Sequence, residues 1–185
     1  MLQTKSITKA IKNDQKTFDQ VKQLYSTAFP KQEQAPLNFL INETKRETIR
    51  FDAYYDGDMF VGLTYTLTYD DMTYLWYLAA SAEVRGQGYG SQILQHLRET
   101  YPNNRIILNL DVQDESARDS EIRKKRKEFY IKNGYTTADY ACIFNKNHLD
   151  VMTVGGNVTS SEFLSIFKNN FGPIMRLFIK PKIVS

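Results

Sequence analysis

The apolar positions change period along the chain, and each change marks a change of structure. Between residues 16 and 28, Phe18, Val21, Leu24, Tyr25 and Ala28 recur at helical spacing. Pro30 ends that helix, because its ring cannot continue the i to i−4 bonding. A second, shorter helix is predicted after Pro36, carrying Leu37, Phe39, Leu40 and Ile41, with Glu33 and Gln34 in the loop before it. The period then drops to two. Phe51, Ala53 and Tyr55 share one strand face, and Asp56-Gly57 turns the chain because glycine tolerates positive φ. Val61, Leu63, Tyr65 and Leu67 alternate with Gly62, Thr64, Thr66 and Thr68 on the return strand. A turn at Asp70-Asp71 leads to a third strand over 74–80. This part reads as an antiparallel meander.

Beyond residue 80 strands and helices alternate. A helix is predicted from near Gly88 to just before Pro102, burying Ile93, Leu94 and Leu97. Ile106, Leu108, Leu110 and Val112 mark a strand whose other face carries Asn109 and Asp111. A helix over 120–133 ends at Gly134. Strands follow at 135–145 and 149–154. Thr159-x-x-Glu162 forms a capping box for a last helix, which Gly172 ends. The fold class is α+β: a mixed, mostly antiparallel sheet flanked by helices, with one central parallel crossover.

With no linker, repeat or low-complexity tract, residues 1–185 read as one domain, and 158–185 as its C-terminal helical extension. The apolar face of that extension, Phe163, Ile166, Phe167 and Phe171, packs either on the sheet or on a second copy in a homodimer. A net charge of +3 is too small to argue for a nucleic-acid partner, though it suits a small polyanionic ligand. The one cysteine, Cys142, lies in the apolar run 141–144 and reads as a buried structural thiol. His96 and His148 stand apart without ligand spacing, which argues against a metal. The N-terminal fifteen residues are polar and no stretch approaches ~20 apolar residues, so the expectation is a soluble, cytoplasmic protein with no membrane partner.

The chemistry concentrates in Leu78-Ala79-Ala80-Ser81-Ala82-Glu83-Val84-Arg85-Gly86-Gln87-Gly88-Tyr89-Gly90-Ser91, which joins a strand to a helix. Glycines at 86, 88 and 90 let the backbone approach a ligand closely and take unusual φ values. Their N–H groups, with those of the helix start, converge on an anion, and the helix end adds positive potential. Arg85 adds a guanidinium able to fork onto a phosphate. The bland alternative is that a glycine-rich turn is only a turn. Its position between a strand and an amphipathic helix, beside an arginine, favours the ligand.

Arg85-Gly86-Gln87-Gly88-Tyr89-Gly90 resembles the Gln/Arg-x-x-Gly-x-Gly/Ala cofactor motif of the GNAT family of N-acetyltransferases. Glu128-Phe129-Tyr130-Ile131-Lys132-Asn133-Gly134-Tyr135 resembles that family's second motif, aromatic-Tyr-x-x-x-Gly-aromatic. The order of elements is similar over nearly the whole chain. The resemblance implies transfer of an acetyl group from acetyl-coenzyme A to an amine, small-molecule or peptide, by direct attack. It implies cofactor contacts from Leu78, Ala79, Ala80 and Arg85 to Ser91, with a backbone N–H near Ala79 or Ala80 facing the thioester oxygen. It implies that Tyr130 assists the departing thiolate. Asp111, at the end of a strand and on the face of Asn109, is the best candidate to take the amine's proton, ahead of Glu33, Asp70 and Asp71. Glu33 lies on the loop that in the family closes over the acyl acceptor.

Two departures from the family stand out: Ala82 replaces a proline before the glycine loop, and Arg123 to Lys127 replace a region that often supplies an asparagine. That basic run is otherwise a solvated helix face. A rival reading is a dinucleotide-dependent oxidoreductase, since Gly86-x-Gly88-x-x-Ser91 approaches the Rossmann fingerprint and Asp111 follows about 20 residues on. The preceding meander argues against it. A second rival is a non-catalytic module that binds acyl-coenzyme A.

Overall fold

A computed structural model describes residues 2–8, 11, 14–144, 146–176, 179 and 181–184. Strands β1 (Gln3–Ser6), β2 (Ile49–Asp56), β3 (Met59–Tyr69), β4 (Met72–Ala80), β5 (Arg105–Asp111), β6 (Thr136–Phe144), β7 (Asn147–Val154) and β8 (Lys182–Val184) make one mixed sheet. Their order is β1-β2-β3-β4-β5-β7-β6-β8, and β4 with β5 is its parallel pair. The helices are α1 (Gln15–Ala28), α2 (Leu37–Glu43), α3 (Tyr89–Thr100), α4 (Ser120–Lys132), α5 (Ser160–Asn170) and α6 (Pro173–Arg176). Among the described residues no helix is long and apolar enough to cross a membrane. The chain forms two compact units, Met1–Leu67 with Leu75–Pro102, and Thr68–Tyr74 with Asn103–Ser185.

In the first unit the antiparallel meander is the frame. β2 pairs with β3 from Ile49↔Leu67 to Asp56↔Met59, with one register shift at Tyr54/Tyr55. Asp14 caps α1, its carboxylate accepting from the Thr17 N–H at 3.1 Å. Val21, Leu24 and Tyr25 of α1, Leu40 and Ile41 of α2, and Ile93, Leu94 and Leu97 of α3 are buried. Strand β1 is not visible in the hydropathy pattern, because its side chains are mostly exposed. Its backbone ladder to β2 holds it, and only the flanking Leu2 and Ile7 are buried.

In the second unit β5 is paired on both edges. The N-terminal end of β4 runs parallel to it over Met72↔Arg105 to Tyr74↔Ile107. On the other edge β7 runs antiparallel from Ile106↔Val154 to Asp111↔Leu149. The aromatic face of α5 is spent inside this unit. Phe163, Ile166, Phe167 and Phe171 are buried. Phe163 and Phe167 set their rings 5.6 and 5.1 Å from Tyr74, and Phe167 lies 5.9 Å from Phe144. Of the two roles expected for that face, the observed one is packing on the sheet. Cys142 is buried, and burial pushes its thiol up to about 12.

Candidate functional site

The glycine loop belongs wholly to the first unit. β4 delivers Leu78, Ala79 and Ala80, and a single 3-10 turn at Ala82–Val84 buries Val84 as a pin. The chain then leaves the core: Arg85, Gly86, Gln87 and Gly88 are all exposed. Gly86 and Gly88 have φ of +78° and +85°, a region that side chains with a Cβ enter only with strain. Gly90 differs from expectation. It lies in the first turn of α3 with helical geometry, so its value is the absence of a side chain, not an unusual φ.

A Cβ built on Gly86 or Gly88 would meet nothing within 4 Å. The space beside both glycines is therefore open. Among the described residues, the N–H groups of Gly86, Gly88, Tyr89, Gly90 and Ser91 reach no acceptor, whereas the amides of Val84, Arg85 and Gln87 close local turns. These free donors sit at the N-terminus of the twelve-residue helix α3. Unsatisfied N–H groups and the positive helix end together make an anion site. No described residue pairs with the Arg85 guanidinium at its rim. A diphosphate fits this donor set.

Two supports of the loop are not apparent as such in the sequence. Gly62 on β3 reads there as one more strand position. An added Cβ at that position would lie 2.5 Å from the Ala79 carbonyl oxygen and 2.8 Å from Ile93 Cδ1. β3 must be bare there for β4 and α3 to close in. The Tyr89 side chain turns away from the cradle and donates a hydrogen bond to Asp56 Oδ2 at 2.7 Å. Asp56 reads in the sequence only as a turn residue.

The loop carrying Glu33 is held from both sides. The Tyr77 hydroxyl donates to the Glu33 carbonyl at 2.7 Å and accepts from the Ala35 N–H at 3.2 Å. The Tyr25 hydroxyl donates to the Ala35 carbonyl at 2.9 Å, and Gln34 Nε2 donates to the Phe29 carbonyl at 2.7 Å. Burial drives the phenols of Tyr25 and Tyr77 upward, so both stay protonated as donors. Phe29, Tyr25 and Tyr77 pack edge to face, and Trp76 stacks on Tyr77 at 5.4 Å. The half-buried Glu33 thus stands on a loop with little freedom, next to an aromatic wall.

Tyr130 and Asp111 belong to the second unit. Asp111 closes β5, half-buried, with Arg126 Nη1 of α4 at 4.0 Å. Tyr130 lies one turn after Arg126, its ring 5.5 Å from Tyr135 and 5.0 Å from Phe129. Burial raises its phenol to about 12, and the Arg126 charge pulls weakly the other way. On the same β5 face, Asn109 Nδ2 donates to the Asp150 carbonyl at 3.3 Å and to Cys142 Sγ at 3.4 Å. The basic run of α4 is only partly a solvated face. Lys127 Nζ bonds Asp150 Oδ2 at 2.7 Å, and Arg123 bonds Asp119 and the Val112 carbonyl. Lys124 and Lys125 point to solvent. Asp70 and Asp71 make the β3–β4 turn, and Asp71 is bound by Arg105.

A glycine loop with free N–H groups stands between strand and helix in a mixed sheet of this order, an arrangement that suits an anionic ligand. Residues 18–121 match the sequence model of the Acetyltransferase (GNAT) family, and the chain belongs to that family. A curated relative, the 5-NmdU N-acetyltransferase of Pseudomonas phage PaMx11, is 30% identical over 66 residues. That alignment covers 36% of this chain and 41% of the phage protein, so the match spans less than half of the relative's length. A solved GNAT-family structure from Bacteroides thetaiotaomicron superposes with a TM-score of 0.75 at 21% identity, over 90% of this chain and 94% of that one. An aminoglycoside 6'-N-acetyltransferase complexed with coenzyme A superposes with a TM-score of 0.63 at 18% identity, over 82% and 96%. These structures share the fold.

Proposed function

We propose that this chain binds acetyl-coenzyme A on the 85–91 loop and transfers its acetyl group to an amine. The observation that carries the reading is that, among the described residues, the N–H groups of Gly86, Gly88, Tyr89, Gly90 and Ser91 reach no protein acceptor and the Arg85 guanidinium beside them has no partner. The family supports acyl transfer, and the phage relative and the coenzyme A complex support the donor and the amine.

In the reaction the amine nitrogen forms a bond to the acetyl carbon, the carbon–sulfur bond breaks, and the electron pair stays on sulfur. The nitrogen loses one proton and the sulfur gains one, so the balance closes without a further reactant. Asp111 is the group proposed to take the nitrogen's proton, and Glu33 the carboxylate that receives a cationic acceptor. A Tyr130 phenol at about 12 is a weaker acid than an alkyl thiol at ~8.5. It therefore donates a hydrogen bond to the leaving thiolate, and the thiolate's final proton comes from solvent.

The test is direct. Calorimetry should register coenzyme A uptake, and thiol release from acetyl-coenzyme A should depend on an amine from a panel. Tyr130→Phe should lower kcat about 10- to 100-fold with KM for acetyl-coenzyme A little changed. The kcat–pH profile should show no falling limb from Tyr130 between about pH 7 and 10. Coenzyme A uptake without turnover on any amine would make the chain a binding module, and no uptake would end the proposal.

A further inference from the structure

The glycine loop needs an anchor, because glycine-rich backbone loses more freedom on ordering than any other. Its two non-glycine brackets supply one. Before the loop, Val84 is buried. After it, the Tyr89 ring packs on the cluster formed by Leu2, Tyr54, Val61, Val84 and Ile93. Tyr89 is also the first residue of α3, so its own N–H is one of the free donors. Its hydroxyl reaches out of the cluster to Asp56, which closes β2 beside Gly57 at φ +57°. The tip of the β2–β3 hairpin is thereby tied to the start of the anion-binding helix.

That Asp56 should be acidic is unexpected. A carboxylate beside a loop that collects N–H groups for an anion opposes that anion's charge. The hydrogen bond accounts for it, because an ionised acceptor makes a stronger bond to a phenol than a neutral one. Raising of the Tyr89 phenol by this bond keeps its proton in place.

We propose that Asp56 and the Tyr89 hydroxyl form a latch that positions the glycine loop for the diphosphate, Asp56 acting as a positioning residue through Tyr89. The latch fixes the direction of the N–H groups at Tyr89 and Gly90, and it acts on coenzyme binding rather than on the acyl-transfer step. This inference rests on the reading of the loop as a coenzyme A site.

Calorimetry with coenzyme A and steady-state kinetics with acetyl-coenzyme A test it on Tyr89→Phe, Asp56→Ala, their double variant and Asp56→Asn. Tyr89→Phe removes one oxygen and leaves the ring in its cluster. Tyr89→Phe and Asp56→Ala should each raise Kd and KM about five-fold, with kcat within about two-fold of the parent. The double variant should be no worse than Asp56→Ala, because the two groups act as one unit. Asp56→Asn keeps an acceptor oxygen and the turn chemistry but makes a weaker, neutral bond, and should bind between the parent and Asp56→Ala, about two-fold more weakly than the parent. A parent that binds coenzyme A while Tyr89→Phe binds equally well, whatever its Tm, overturns the latch alone. A parent that binds no coenzyme A overturns the reading of the loop, and the latch with it. Asp56→Asn as weak as Asp56→Ala also overturns it, since the hydrogen bond would then not be the cause.

Discussion

Two glycine turns in this protein have nearly the same φ and opposite surroundings. Gly88 has φ +85° and Gly155 has φ +88°. At Gly88 an added Cβ would meet nothing within 4 Å. At Gly155 it would lie 3.1 Å from the Asn104 carbonyl oxygen, and at Gly156 3.3 Å from Arg105 Cδ. The second turn is filled by the protein itself. Arg105 crosses it, donating to the Asn157 carbonyl at 2.8 Å, to Asp71 at 2.7 and 3.0 Å, and to Glu162 at 2.9 Å. Among the described residues, the first turn leaves the N–H groups of Gly86 and Gly88 unspent and its neighbouring arginine, Arg85, without a partner. Glycine density alone does not separate a ligand cradle from a packing turn. What separates them is whether the chain supplies its own occupant for the concave side.

The comparison is broken most sharply by alanine at each position. Gly88→Ala forces a Cβ into the left-handed region, which costs about 1–2 kcal/mol, and it meets no packed neighbour. It does put a methyl group where the diphosphate is proposed to lie. Coenzyme A affinity should fall by about 100-fold while Tm drops only a few degrees. Retained affinity would mean that the open turn holds no ligand. Gly155→Ala carries the same backbone strain and adds a contact with the Asn104 backbone, for a total of about 2–3 kcal/mol. Thermal unfolding should register that loss with coenzyme A affinity unchanged. A smaller stability loss at Gly155 than at Gly88 would contradict the contrast.

Most of the fold is legible in the hydropathy pattern because most elements have one wet and one dry face. Helices α1 and α3 and strands β2 and β3 fall where the period places them. Strands β1 and β8 do not, since short edge strands with exposed or half-buried side chains are held by backbone pairing that no side-chain period records. The anion loop is legible because glycines before a helix are a local signal. Its supports are not. Gly62 acts through a contact with Ala79, and Asp56 through one with Tyr89, each distant in sequence. A Tyr at the first helical position and an acid at a hairpin tip are individually ordinary. Arg105 is silent for the same reason: its partners Asp71, Asn157 and Glu162 are scattered along the chain, and only folding gathers them.

The filled turn offers the smallest and most selective effect. Arg105→Met keeps much of the stem's packing and removes the charge. The partner carboxylates are 50% and 36% exposed, so the pairs are screened and Tm should fall by only about 2–4 °C at neutral pH. The informative part is the acid limb. Arg105 first, and then the Thr159 N–H, hold the Glu162 carboxyl down to about 2, and Arg105 lowers Asp71 as well. A carboxyl depressed on folding contributes its stability above its unfolded value, ~4.5 for Glu, and loses it as pH falls toward the folded value. Tm of the parent should therefore decline between about pH 5 and 2. In Arg105→Met that decline should be shallower but not abolished, because Thr159 still binds Glu162 at 2.8 Å. Equal slopes for parent and variant would show that Arg105 fills its turn by packing alone, leaving the shape of the side chain, and not its charge, as what distinguishes the closed turn from the open one.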